Sequence, residues 1–122
     1  MSVAQRIFAT SQFLTPSEGE PLRTVISLTN DAAVVAWHVK PGQSIPAHFH
    51  PTGQDTWTIL SGEGNYFLDG NDSIAKIKSG DVVVARTGEV HGVRCTGSIA
   101  LEFVSVVSPS DAGYHKIQAD PS

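Results

Sequence analysis

From about residue 24 to residue 107 the chain is divided into short runs of β-branched and aromatic residues by glycine, proline and Asn/Asp pairs. No eleven-residue window repeats apolar residues at helical spacing. Candidate strands are 24–29, 33–39, the segment carrying His48 and His50, 55–60, 65–68, 73–78, 81–85, 90–94 and 98–107. Turns separate them at Asn30-Asp31, Pro41-Gly42, Ser61 to Gly64, Asp69-Gly70-Asn71-Asp72, Ser79-Gly80 and Thr87-Gly88. Eight to ten short strands with such regular punctuation predict an all-β sandwich or barrel.

At 122 residues the chain is long enough for one domain with a buried core. The β core is expected over about 24–108. Residues 1–20 read as an N-terminal arm or edge strand running into a loop, and 109–122 as a polar C-terminal tail. The tail is expected to be loose, although Tyr114 and His115 could instead drape over the barrel mouth. Eight basic against twelve acidic residues give a net charge of −4, and no basic stripe favours nucleic acid. A single cysteine, Cys95, excludes an internal disulfide. The first residues lack a basic, then apolar, leader pattern, and no apolar segment approaches membrane-spanning length. A cytoplasmic location without membrane partners is the expectation.

The chemistry concentrates between Gly42 and Gly62 and again between Gly80 and Cys95. His48 and His50, two apart in an extended segment, project to the same side of a strand. Gln54 and Asp55 follow, and His91 lies in the later stretch. Imidazoles bind zinc, iron, nickel, copper and manganese, and an added carboxylate shifts the preference towards harder, often octahedral ions. Three histidines and one carboxylate leave two of six positions for water or substrate. Asp55 shares a strand face with Trp57 and Ile59, whereas Gln54 shares the other with Thr56 and Thr58. Inward aromatic residues favour Asp55, while a strand displaced at Gly53 would bring in Gln54 as a neutral ligand, and both stay open. His38, out of phase with Trp37 and Val39, is expected to face outward. Tyr66, Trp57, Phe67, Arg94 and Glu102 are candidates for lining the interior.

Two motifs carry a family resemblance. Gly42-x5-His48-x-His50-x4-Asp55-x6-Gly62 resembles the first motif of the cupin superfamily, G-x5-H-x-H-x3,4-E-x6-G. Gly80-x5-Arg86-x-Gly88-x2-His91-x3-Cys95 resembles the second, G-x5-P-x-G-x2-H-x3-N. The resemblance implies a double-stranded β-helix, a small jelly-roll barrel, holding a divalent transition metal (iron, manganese, nickel or zinc) through His48, His50, His91 and an acidic residue. Three positions depart from the pattern: Asp55 or Gln54 stands for glutamate, Arg86 for proline and Cys95 for asparagine. Cys95 reads as a small buried side chain.

Three functional classes fit these residues. One is a metal-dependent enzyme acting on a small molecule, either a dioxygenase or an isomerase, decarboxylase or lyase. A second is a non-catalytic module binding a sugar or organic acid. The third is a structural barrel braced by its metal. The resemblance also implies a homodimer, with 99–107 and the arm around Ile7 and Phe8 as candidate contacts.

Overall fold

The computed structural model describes residues 5–117. Its strands are β1 (Thr24–Leu28), β2 (Ala33–Val39), β3 (Ser44–Phe49), β4 (Gln54–Ser61), β5 (Glu63–Phe67), β6 (Ile74–Lys78), β7 (Val82–Ala85), β8 (His91–Cys95), β9 (Leu101–Ser108) and β10 (His115–Lys116). They form two antiparallel sheets, ordered β1-β2-β9-β4-β7 and β10-β3-β8-β5-β6. This is the expected double-stranded β-helix. We call the first the apolar sheet and the second the histidine sheet.

Period-two alternation puts one face of each sheet into the barrel. Across the apolar sheet the register sets Trp37, Phe103 and Ile59 side by side, then Val35, Ser105 and Trp57, then Ala33, Val107 and Asp55. The first of these rows is large and closes one end of the barrel. Phe103 stacks on Trp57 with ring centroids 4.2 Å apart, and Leu101 and Val39 complete the packing behind it. Burying each such side chain contributes about 1.5–3 kcal/mol. The Asp55 row is small, so this end stays open. In the histidine sheet Cys95, Gly64 and Ile77 line the closed end, Ile45, Val93 and Tyr66 the middle, and His48 pairs with His91 at the open end.

Two expectations need correction. The tail is not loose over its described part: β10 pairs with β3, His115 opposite Phe49 and Lys116 opposite His48. The rings of Phe49 and His115 stack at 5.2 Å, and this contact holds the strand in place. The arm forms no edge strand among the described residues. It makes a 3₁₀ turn at Thr10–Gln12 and is fastened by Gln43, whose amide nitrogen donates to the Ser17 and Gly19 carbonyls at 2.7 and 2.8 Å. Met1 to Ala4 and the last five positions lie outside the described residues.

The outer face of the apolar sheet is also largely apolar. Val34, Val106, Thr56 and Val84 lie in one row and Ala36, Val104, Thr58 and Val82 in the next. Val82 and Val84 are exposed. At its rim His38 does face outward, pairing with Glu102 at 2.8 Å, and Glu102 accepts from Ser61 at 3.2 Å. Among the described residues no helix is long and apolar enough to cross a membrane.

Candidate metal centre

His48 stands on β3 where the pairing with β8 shifts register between Ile45 and His48. Pro46 occupies that irregularity; lacking an N–H it cannot extend the ladder. Its carbonyl is instead free to accept the His48 Nδ1–H at 2.8 Å. Gly92 on β8 permits the close pass, because a Cβ there would meet the Ile45 and Pro46 carbonyl oxygens at 2.7 and 2.9 Å. His50 follows β3, and its Nδ1–H donates to the Gly113 carbonyl in the tail. The turn before β8 is drawn tight as the Glu89 carboxylate accepts the Arg86 N–H at 2.8 Å. The Glu89 carbonyl then accepts from His91 Nδ1 at 3.2 Å.

Gly53 settles which residue of the next strand turns inward. Its φ of 69° is a left-handed conformation, and a Cβ would run into the Ser108 backbone and Pro109. β4 then begins with Gln54 opposite Ser108 and Asp55 opposite Val107. That phase buries Asp55 with 5% exposure and leaves Gln54 exposed, away from the histidines.

His48, His50, Asp55 and His91 come together, their ligating atoms all within 4.8 Å of one another. All four are buried, His91 completely. A carbonyl only accepts, so each Nδ1 carries a proton, and each Nε2 is left either to donate a second proton to Asp55 or to present a lone pair to a metal. Nε2 of His91 and of His50 lie 3.1 and 3.5 Å from Asp55 Oδ2. A lone pair facing a carboxylate is repulsive unless a proton or a metal cation lies between them. His50 Nε2 and Asp55 Oδ1 are moreover buried without a hydrogen-bond partner among the described residues. Such groups are costly to leave unpaired, and both are ordinary ligands of a divalent transition metal. This side-chain group therefore fits a metal, and could hold one.

The electrostatics set the rings apart. Burial, and then the charge of His91, push the His48 pKa down to about 4, keeping the ring neutral with its lone pair available. Attraction to Asp55 raises His50 above the ordinary histidine value, against burial. Burial opposes ionisation of Asp55 most strongly, but the contacts from His50 and His91 hold its carboxyl well below the usual carboxylate range.

The cluster opens on a cavity of about 510 Å³ lined by His48, His50 and Asp55, with His91 sealed behind them. Of the candidate interior residues, only Trp57 lines this cavity. Tyr66 is buried behind it with the two rings edge to face at 5.3 Å. Phe67 is half-buried, Arg94 is exposed and Glu102 is taken up by His38. Cys95 is buried and its thiol faces the Ile99 carbonyl at 3.4 Å, consistent with packing. Arg86, in place of proline, is exposed and approaches Glu89 at 3.6 Å.

Sequence reasoning missed two contributors, Gly113 and Arg23, and offered a third, Tyr114, only as an alternative to a loose tail. Gly113 supplies the carbonyl that orients His50, and backbone acceptors leave no trace in residue type. Tyr114 covers the cluster, its ring 4.8 Å from that of His48. An aromatic residue and a histidine in an otherwise polar tail were the available signal. Arg23 also lines the cavity, beside Glu20.

The cupin-domain family model matches residues 35–107, a span that includes every residue of the cluster. A Klebsiella pneumoniae protein with a double-stranded beta-helix domain superposes with a TM-score of 0.91 at 45% identity, covering 95% of this chain and 100% of that one. A predicted oxalate decarboxylase from Thermotoga maritima has the same fold, with a TM-score of 0.71 at 24% identity over 85% of this chain and 99% of that one. An oxalate-binding protein of Thermotoga maritima is 39% identical over 67 residues, 55% of this chain and 54% of that protein. An Aquifex aeolicus protein is 30% identical over 73 residues, covering 60% of this chain and 58% of that protein. The chain thus spans a little over half the length of these curated relatives. From the sheet topology, the inward histidine pairs and the family match over most of the β core, this chain belongs to the cupin family.

Proposed function

We propose that the protein is a metal-dependent cupin enzyme acting on a small molecule, with His48, His50, His91 and Asp55 as the metal ligands. The observation that carries this reading is the commitment of all three Nδ1 atoms to backbone carbonyls, which leaves the three Nε2 atoms for a ligand set gathered with one buried carboxylate. Fixing each ring through its distal nitrogen is how proteins orient metal-bound histidines. A bound iron, manganese, nickel or zinc ion would supply a Lewis acid, or with iron a redox centre, for a substrate oxygen. The chain's own contribution is to hold that substrate against the cluster and to keep bulk water out with apolar walls. A dioxygenase and an isomerase or lyase both use this arrangement, and oxygen consumption during turnover separates them.

The test is elemental analysis of tag-free protein purified without added metal. Near-stoichiometric transition metal, lost in His50→Ala and strongly reduced in Asp55→Ala, is the expected result. Absence of metal even after reconstitution would overturn the reading. Asp55→Ala retaining full metal while Gln54→Ala loses it would reassign the fourth ligand.

A binding module is the second reading, favoured by the relative described as oxalate-binding. It predicts saturable ligand binding with no chemical change in the ligand. For assembly, we infer a homodimer formed through the outer valine-threonine face of the apolar sheet. Exposed Val82 and Val84 beside half-buried Val104 and Val106 support it. A monomer by light scattering at micromolar concentration would remove that inference.

A further inference from the structure

The cavity is much larger than its cluster requires. Its size follows from the row structure of the apolar sheet: Ala33, Val35, Ser105 and Val107 stand where the closed end carries Trp37, Phe103 and Ile59. Oxalate, with six non-hydrogen atoms, takes the space of about two or three waters, roughly 60–90 Å³ at about 30 Å³ per water. A cavity of about 510 Å³ would leave most of its volume to water around such a ligand. Much of its wall is apolar, formed by Val35, Ile45, Val107, Trp37 and Trp57. Water gains little there, and an apolar ligand body gains about 25 cal/mol per Å² buried.

Charge is placed at the mouth. Arg23 directly precedes β1, where Thr24 pairs with Ala36, so Arg23 sits across from Trp37, which also lines the cavity. Gln43 fastens the preceding segment through the Ser17 and Gly19 carbonyls. Arg23 is exposed and forms no ion pair among the described residues. A planar guanidinium without an ion-pair partner among the described residues, beside a centre that a divalent metal would make cationic, matches a carboxylate.

We propose that the cavity takes a carboxylate with an apolar, ring-sized body, its acid group held between the histidine cluster and Arg23 and its body against Trp37, Val35 and Val107. This rests on the reading of the cluster as a metal site, and makes Arg23 a specificity-determining residue. Oxalate lacks the apolar body that this wall would bind.

Calorimetric titration with benzoate, cyclohexanecarboxylate, acetate and oxalate tests it, on metal-loaded and metal-stripped protein. Benzoate and cyclohexanecarboxylate should bind about tenfold or more tighter than acetate. Arg23→Gln should weaken both about tenfold or more, and Arg23→Lys should restore part of the loss. Arg23 is exposed, so neither variant threatens folding, and unchanged melting temperatures check this. Acetate or oxalate binding as tightly as benzoate, or indifference to Arg23→Gln, would overturn the proposal even if metal binding is stoichiometric. Benzoate binding that depends on Arg23 but survives metal removal would overturn the placement of the acid group between the cluster and Arg23, whereas a failure to load any metal would overturn the metal reading on which the proposal rests.

Discussion

The two sheets divide the work of this barrel unevenly. The histidine sheet, with its neighbouring loop and tail, supplies three imidazoles and holds each by a backbone carbonyl, from Pro46, Gly113 and Glu89. The apolar sheet supplies one ligand candidate, Asp55, together with the aromatic packing of the closed end and the small side chains that leave the cavity. One sheet is specified by where its hydrogen bonds go and the other by side-chain volume. Polar positions tolerate no unpaired partner, whereas apolar positions tolerate changes that conserve volume. Stability and ligand chemistry should therefore respond to different substitutions.

The largest effect should come from the closed end of the apolar sheet. Phe103→Ala is expected to lower unfolding free energy by about 3–5 kcal/mol, since the residue is wholly buried between Trp37 and Trp57. Metal content of the folded fraction should stay unchanged, and a parallel loss of metal would break the proposed separation. In the histidine sheet His91→Ala should abolish stoichiometric metal. A chelator should then lower the wild-type melting temperature by about 10 °C while leaving the variant's unmoved. Equal chelator shifts in both proteins would mean that His91 is no ligand.

A smaller effect tests the tail. Ending the chain after Ser110 removes the carbonyl that receives the His50 proton and the Tyr114 ring over His48. Metal affinity should fall about 10–100-fold, the usual scale for losing a partner that orients a ligand. Competition with a chromogenic chelator measures it, with unchanged affinity showing that the tail merely covers the site. Smallest in stability is Val84→Lys on the outer face, expected within about 0.5 kcal/mol of wild type. It should nevertheless shift the inferred homodimer to monomer in sedimentation, and a monomeric wild type would overturn the inference.

The sequence by itself determined the succession of strands along the chain, an all-β sandwich or barrel, and the shared side of His48 and His50, while the double-stranded β-helix followed from the family resemblance. The reason is local: turn residues punctuate the chain, and two-residue periodicity assigns His48 and His50 to one side. It also placed His38 outward, as the Glu102 pairing shows. Only the tertiary structure chose Asp55 over Gln54 for the interior, because strand phase depends on how Gly53 packs against Ser108 and Pro109, a contact across the fold. Tertiary pairing likewise turned a polar tail into β10 and brought Gly113 to His50 across 63 positions. It set Arg23 at the cavity mouth through the β1–β2 register. These features rest on backbone carbonyls, on register and on volume left unfilled. None is a property of a residue's type or of its near neighbours, so each had to wait for the fold.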